Sequence, residues 1–193
     1  MTAPRIRALP RIRALQESDY PSLIAQVDEW WGRPAAHMLP RLFLRHFHAT
    51  SLAAVTDQGV LAGFLVGIVS PSEPGEAHTH FIAVAPGHRR SGLGGVLYGR
   101  FFELAGGQGC RTVTAVVSPG NTRSQRFHLA TGFEAIPLPS AGPPDTENVT
   151  GTATVTGTDG PAATEGLTGT EGLPVWKDWD GPGEDRVRFS YAL

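Results

Sequence analysis

The chain has 193 residues, of which 40% are hydrophobic and 18% charged, and its formal net charge is −2. This length is enough for one domain with a buried core, and the near-neutral charge excludes attraction of the whole chain to nucleic acid or an anionic membrane. The single cysteine, Cys110, excludes an internal disulfide and fits a reducing compartment. No long apolar segment is present, so we expect a cytoplasmic protein without a signal peptide or membrane helix.

A direct repeat opens the chain, with the same six residues at 4–9 and again at 10–15. Only the second copy adjoins Ser18, a good N-cap for a helix. We therefore assign Ile12 to Leu15 to the first strand and treat residues 1–10 as a duplicated extension.

Two helices and a hairpin are predicted next. The first helix follows Ser18, and its inward face comprises Leu23, Ile24 and Val27. The second spans about Leu39 to His48, and its inward face comprises Leu39, Leu42, Phe43, His46 and Phe47. A hairpin follows, with strands from Ser51 to Thr56 and from Val60 to Val69. Because strands and helices alternate after this hairpin, the class is mixed α/β.

Two adjacent tryptophans, Trp30 and Trp31, lie in the polar connection between the two helices, together with Arg33. Two readings of this pair stay open. Both indoles can cap the core, or the three residues can contact a substrate.

The stretch from His78 to Gly107 changes its hydrophobic period twice. An apolar run, Phe81 to Ala85, is bounded by Pro86-Gly87 and predicts a buried strand. A turn of arginines and glycines follows, from Arg89 to Gly95. Apolar residues then recur at helical spacing, and Gly106-Gly107 is placed to end that helix.

A strand, a glycine-rich turn and a helix in this order favour an anion site, most naturally for phosphates. The helix start offers backbone N–H groups without intrahelical partners, and the two arginines before it add positive charge. The alternative is that the glycines only make a tight connection. No lysine follows them, which excludes the Walker pattern, and their spacing does not fit the dinucleotide-binding fingerprint.

The spacing Arg89-x-x-Gly92-x-Gly94 resembles the coenzyme A pyrophosphate loop of the GNAT acyltransferases. A second motif, in which Asn121 opens a helix that ends in Gly132-Phe133, is similar to another signature of that family. A strand-like run at 112–117 lies between them, so two motifs occur in the family's order.

This resemblance implies a mostly antiparallel central sheet with a splayed strand pair, flanked by about four helices. It also implies acetyl-CoA as the co-substrate and an amine as the acceptor. A bulge in the central strand opens the slot for the cofactor, and the backbone N–H of Val84 is the implied oxyanion donor. The implied cofactor-binding residues are Ile82, Ala83, Val84, Arg89, Arg90, Ser91, Gly92, Leu93, Gly94, Gly95 and Asn121.

Acetyl transfer to an amine also needs a base and an acid. His78 and His80 lie two apart on one strand and therefore share a face, and we favour His80 as the base, with Glu76 as a weaker candidate. His128 occupies the position where the family usually has the tyrosine that protonates the leaving sulfur. Either its imidazolium donates the proton or solvent does. We expect no metal site, because no third ligand has a convincing spacing beside the two histidines.

Residues from about 138 to 183 are of low complexity, with repeated Thr-Gly-Thr and few apolar side chains. We expect this stretch to be a disordered insertion within one acyltransferase domain that spans 11–193. Alternating Val187, Phe189 and Tyr191 predict a final strand. Trp176 and Trp179 at the end of the insertion are candidates to anchor it.

Two functions remain beside that of an N-acetyltransferase. A non-catalytic acyl-CoA sensor would fit the missing tyrosine. A nucleic-acid-binding protein would use the N-terminal arginines, but the overall charge argues against it. The acceptor amine, the acyl chain length and the oligomeric state, a homodimer included, stay open at this point.

Overall fold

The computed structural model describes residues 9–138 and 172–193. The first copy of the N-terminal repeat, apart from Leu9, and most of the low-complexity stretch lie outside the described residues. The described residues divide into two compact units, the first formed by residues 9–115 with 191–193 and the second by residues 116–138 with 172–190. The expected single acyltransferase domain from residue 11 to 193 stays a prediction.

The described residues form a mixed α/β fold with a seven-stranded, mostly antiparallel sheet, as predicted. The strands are β1 (Arg11–Ala14), β2 (Leu52–Val55), β3 (Leu61–Val69), β4 (Glu76–Val84), β5 (Thr112–Val117), β6 (Glu134–Ala135) and β7 (Val187–Ala192). The α-helices are α1 (Tyr20–Ile24), α2 (Val27–Trp31), α3 (Arg41–His46), α4 (Leu93–Gly107) and α5 (Thr122–Ala130). The described residues contain five α-helices, and the predicted first helix is interrupted between Ile24 and Val27.

In the first unit, β1 to β5 are neighbours in chain order. Strands β1 to β4 pair antiparallel, and the predicted hairpin of β2 and β3 is confirmed. β4 and β5 pair in parallel, which the long crossover through α4 permits.

Helices α1 to α3 cover one face of this sheet. Leu23, Val27 and Leu44 are buried there against Phe64 and Val66 of β3. The predicted inward face of the second helix was wrong for Leu42, which is 53% exposed, and for His46, which is also exposed. Leu39 precedes the helix instead of belonging to it, so it does not set the phase of the helical face.

Ser18 was also expected to cap the first helix, but the N-cap residue is Asp19. The Asp19 carboxylate accepts two hydrogen bonds from Arg13 of β1, each 2.7 Å long, and one from the backbone N–H of Gln16. This bidentate ion pair lowers the pKa of Asp19 although burial opposes that shift. It therefore ties the end of β1 to the start of α1.

Helix α4 packs on the opposite face of the sheet. Its buried residues are Leu93, Leu97, Tyr98, Phe101 and Ala105. Gly67 of β3 faces this helix, and a Cβ there would overlap the ring of Phe101 and lie 2.7 Å from the Thr50 carbonyl oxygen. Gly106 and Gly107 are the last two residues of α4, Gln108 is its C-cap, and the left-handed residue that follows is Gly109 (φ +84°).

The second unit contains α5, the antiparallel pair of β6 and β7, and an extended segment around Trp176. Val187 and Phe189 of β7 are buried, as their alternation predicted. Trp176 pairs through its backbone with Arg186, and the Arg188 guanidinium lies 4.4 Å from the Trp176 ring and 3.8 Å from the Trp179 ring. These cation–π contacts and the Lys177–Asp185 ion pair stabilise the end of the low-complexity stretch, just before Arg186.

Across residues 9–138 and 172–193, no helix combines the length and apolar character needed to cross a bilayer.

The close approach of Gly67 to α4 leads to a prediction about the stability of the fold. Gly67→Ala should lower the free energy of unfolding by about 1–3 kcal/mol, because the added methyl overlaps Phe101 and a backbone oxygen. Gly99→Ala is the control, since the space beside Gly99 on α4 is open, and it should raise stability by about 0.5–1 kcal/mol. Urea unfolding measures both variants, and equal stabilities would contradict this packing.

Candidate functional site

The pairing of β4 changes on both of its edges near His80. Toward β3, Val66 pairs with Phe81 but Gly67 pairs with Thr79, so His80 is an extra residue in β4. Toward β5, parallel pairing runs from Glu76 to Thr79. In this register Ile82, Ala83 and Val84 lie beyond the end of β5. A bulge and an open strand end therefore occur together in the central strand.

The backbone groups of Ile82 and Val84 point away from β3. The backbone N–H of Ala85 donates to the carbonyl of Ala62 in β3, at 2.9 Å. Because backbone groups alternate along an antiparallel strand, those of Ile82 and Val84 face the opposite edge. There the Ile82 carbonyl lies 3.5 Å from the Trp31 indole nitrogen, and the Val84 carbonyl accepts from Arg89 at 3.2 Å.

The turn after β4 adopts two left-handed conformations in close succession. Arg90 has φ +60° and Gly92 has φ +84°, and the Ser91 hydroxyl donates to the His88 carbonyl at 2.7 Å. Gly92 is the N-cap of the 15-residue helix α4, which begins at Leu93. The first backbone N–H groups of a helix have no intrahelical partners and carry the positive end of its dipole. Among the residues that the structure describes, no heavy atom lies within 4 Å of the positions that Cβ atoms would take at Gly92 and Gly95, so these two positions are open.

Arg89 ties this turn to the rest of the unit. Its guanidinium donates to the Val84 carbonyl at the end of β4 and to the Trp30 carbonyl in α2. The first arginine of the turn thus positions the loop, and it also brings positive charge to the start of α4.

The two tryptophans of α2 differ in environment. Trp30 is 5% exposed and lies in the core beside Phe64, which favours the packing reading for this residue. Trp31 is half-buried and its ring lies 4.9 Å from that of Phe81 on β4. Arg33 is exposed just after α2.

An aromatic cluster surrounds the bulge. The His80 ring stacks on Phe43 of α3 at 4.1 Å, and Phe81 meets the same Phe43 edge-on at 6.4 Å. Consecutive residues of β4 therefore contact one side chain, which is what a bulge produces. Sequence reasoning missed Phe43, because nothing in the sequence indicates that a residue of α3 reaches His80.

The His78 ring is hydrogen-bonded to a polar chain instead. Its Nδ1 lies 2.9 Å from the Thr114 hydroxyl of β5, and that hydroxyl donates to the Glu76 carboxylate at 2.9 Å. Sequence reasoning also missed Thr114. The available signal was a polar residue between the apolar residues Val113 and Ala115, but the pairing of β4 with β5 was needed to place it beside His78.

In the second unit, the other two predicted site residues are Asn121, the N-cap of α5, and His128 within α5. The Asn121 side chain accepts a hydrogen bond from the Ser124 backbone N–H at 3.1 Å and so caps the helix. His128 is 3% exposed, and its Nδ1 lies 2.7 Å from the Ser124 carbonyl oxygen. Burial lowers the pKa of His128, although the hydrogen bond to Ser124 opposes this shift. The ring is therefore neutral at pH 7.

Within the described ranges, no group of three His, Cys, Asp or Glu residues could hold a metal ion.

The family model for the acetyltransferase (GNAT) family matches residues 9–133. The chain belongs to the GNAT acetyltransferase family. A search of curated protein sequences gives no match.

Solved GNAT structures share the fold of this acetyltransferase. A protein from Desulfovibrio desulfuricans assigned to the GNAT family has 21% identity and a TM-score of 0.64, covering 96% of this chain and 99% of its own. A ribosomal-protein-alanine N-acetyltransferase from Brucella melitensis has 18% identity and a TM-score of 0.61, with coverages of 95% and 99%. A phosphinothricin acetyltransferase from Sinorhizobium meliloti, solved with AcCoA, has 16% identity and a TM-score of 0.60, with coverages of 95% and 88%.

The buried His128 makes this acetyltransferase sensitive to acid. Because its pKa is lower in the folded chain than in the unfolded one, the unfolded state binds more protons, and stability falls as the pH drops below about 6.5. His128→Gln should lose part of this dependence between pH 7.5 and pH 5.5, as measured by urea unfolding followed with Trp fluorescence. His46→Gln, at an exposed position, is the control and should keep the wild-type slope. An unchanged slope in His128→Gln would contradict the assignment.

Proposed function

We propose that this acetyltransferase moves an acetyl group from acetyl-CoA to a primary amine, by direct attack in a ternary complex. The observation that carries the proposal is the open end of β4, which runs directly into a left-handed turn and the N-terminus of α4. A thioester that carries a phosphate-bearing arm fits this combination of a strand edge beyond the pairing with β5 and an anion site.

The residues present fit such a ligand. The backbone N–H groups of Ile82 and Val84 face away from β3 and can donate to carbonyl oxygens of the cofactor's amide-bearing arm. The N-terminal N–H groups of α4, with Arg90 close by, can hold the pyrophosphate, and the glycines leave room for its approach. Asn121 is proposed as a cofactor-binding residue on the basis of the family resemblance.

The attack needs a neutral amine and a stabilised oxyanion. The Val84 N–H is our proposed oxyanion donor, because its backbone faces the open edge. His78 and His80 are the proposed bases. The contacts favour His78, since a polar chain orients its ring, whereas the His80 ring is stacked on Phe43.

The proton for the leaving sulfur has two candidate sources. His128 is neutral at pH 7 because burial lowers its pKa, so an acid role requires protonation after the substrates bind. Solvent is the alternative proton source. This same observation favours a second candidate function, a non-catalytic acyl-CoA sensor that binds the thioester without turnover.

The acceptor is proposed by class, as a primary amine. Solved GNAT structures include enzymes named for protein alanine, phosphinothricin and diaminobutyrate as acceptors. These names describe the acceptors of those enzymes and do not identify the acceptor of this chain. Trp31 and Arg33, at the end of α2, are the proposed acceptor contacts, whereas the buried Trp30 packs beneath them in the core.

Calorimetric titration of acetyl-CoA tests the proposed binding site. Gly92→Ala should weaken binding about 5- to 30-fold, because an alanine at φ +84° costs about 1–2 kcal/mol and relief of that strain shifts the start of α4. Gly99→Ala, in the same helix, is the control and should bind as the wild type does. Wild-type affinity in Gly92→Ala would show that the glycine turn is only a connection.

Thiol release against a panel of primary amines tests the chemistry. We expect CoA release that depends on both acetyl-CoA and an amine. Binding of acetyl-CoA without release on any amine would overturn the transferase proposal in favour of the sensor.

A further inference from the structure

A polar chain of three side chains joins β4 to β5 beside the open strand end. We infer that Glu76 and Thr114 are positioning residues that hold His78 in one tautomer, with the proton on Nδ1 and the lone pair on Nε2. This inference rests on the proposed function, because it gives His78 its task there as the base for the acceptor amine.

Strand register brings the three residues together. In the parallel pairing of β4 with β5, Glu76 aligns with Thr112 and His78 aligns with Thr114. Residues two apart on a strand share a face, so the side chains of Glu76, His78 and Thr114 lie on the same face of the sheet. The resulting distances are 2.9 Å from Nδ1 to the Thr114 hydroxyl and 2.9 Å from that hydroxyl to the Glu76 carboxylate.

The proton positions follow from the groups involved. A threonine hydroxyl has one proton to donate, and an ionised carboxylate can only accept. The Thr114 proton therefore goes to Glu76, in a charge-assisted hydrogen bond that is stronger than the alternative to the Ala77 carbonyl at 3.5 Å. The Thr114 oxygen is left to accept, so His78 must donate from Nδ1.

This arrangement prepares His78 for proton transfer. His78 lies six residues along β4 from Val84, roughly 20 Å at strand spacing, so its Nε2 takes one proton from the acceptor ammonium through intervening water. This leaves a neutral amine and an imidazolium, and that proton later passes to solvent. Thr114 is 9% exposed, so the hydrogen bonds lie in a poorly solvated region where they are stronger than in water. Through the hydroxyl, the Glu76 charge stabilises the imidazolium.

Two substitutions of Thr114 separate the hydroxyl from its packing. Thr114→Val keeps the shape and removes the hydroxyl, and we expect kcat to fall about tenfold or more, toward the loss expected for an impaired general base, with KM for acetyl-CoA unchanged. Thr114→Ser restores the hydroxyl and should recover most of the rate. Thr112→Val, two residues earlier on β5, is the matched control and should behave as the wild type. Equal kcat values in Thr114→Val and the wild type would overturn the inference.

Nitrogen-15 NMR of labelled histidine reads the tautomer directly and does not depend on turnover. The His78 signals, assigned by their loss in His78→Gln, should show the Nδ1–H form in the wild type and an increased Nε2–H form in Thr114→Val. A wild type in the Nε2–H form would overturn the inference. Absence of turnover with every amine would instead overturn the proposed function and the base role, while the spectrum still decides the tautomer.

Discussion

The single extra residue in β4 is the constraint on which the rest of the candidate site depends. His80 has no place in the ladder with β3, and the ladder with β5 ends at the neighbouring Thr79. Before this point β4 is an ordinary central strand, paired on both edges. Beyond it, the groups of Ile82 and Val84 that face away from β3 are released from sheet pairing. Their carbonyls contact the Trp31 indole nitrogen and the Arg89 guanidinium, whereas their N–H groups face the open edge, where a ligand can pair with them.

The turn that follows supplies what an open edge alone lacks. A strand edge recognises amide groups but has little affinity for charge. The left-handed residues Arg90 and Gly92 reverse the chain so that α4 begins close to the strand end, and its dipole adds positive potential there. Arg89 fixes this geometry by bonding the carbonyls of Val84 and Trp30. Hydrogen bonding and electrostatics thus support one elongated ligand with an anionic end.

Periodicity in the sequence predicted the elements well wherever one face is apolar, as for β3 and for β5, whose bounds of Thr112 and Val117 match. The two spaced motifs predicted the family. The break between α1 and α2 could not be predicted, since it depends on tertiary packing. The resemblance implied a bulge in the central strand, but the position of the extra residue, His80, needed the register between strands. The hydrogen bond from His78 to Thr114 needed the same information, because it joins residues 36 positions apart. The hydrogen bonds from Arg89 to backbone carbonyls could not be predicted either, because the spacing of Arg89 before the glycines suggested only a phosphate contact.

Amide hydrogen exchange with and without acetyl-CoA tests the central role of the open edge most directly. If the ligand pairs with this edge, the amides of Ile82 and Val84 and those of Gly94 and Gly95 should gain protection on binding. The amide of Ala83, which faces β3, should change little. Binding that leaves the amides of Ile82 and Val84 unprotected would contradict the account, because the open end of β4 would then have no part in holding the cofactor.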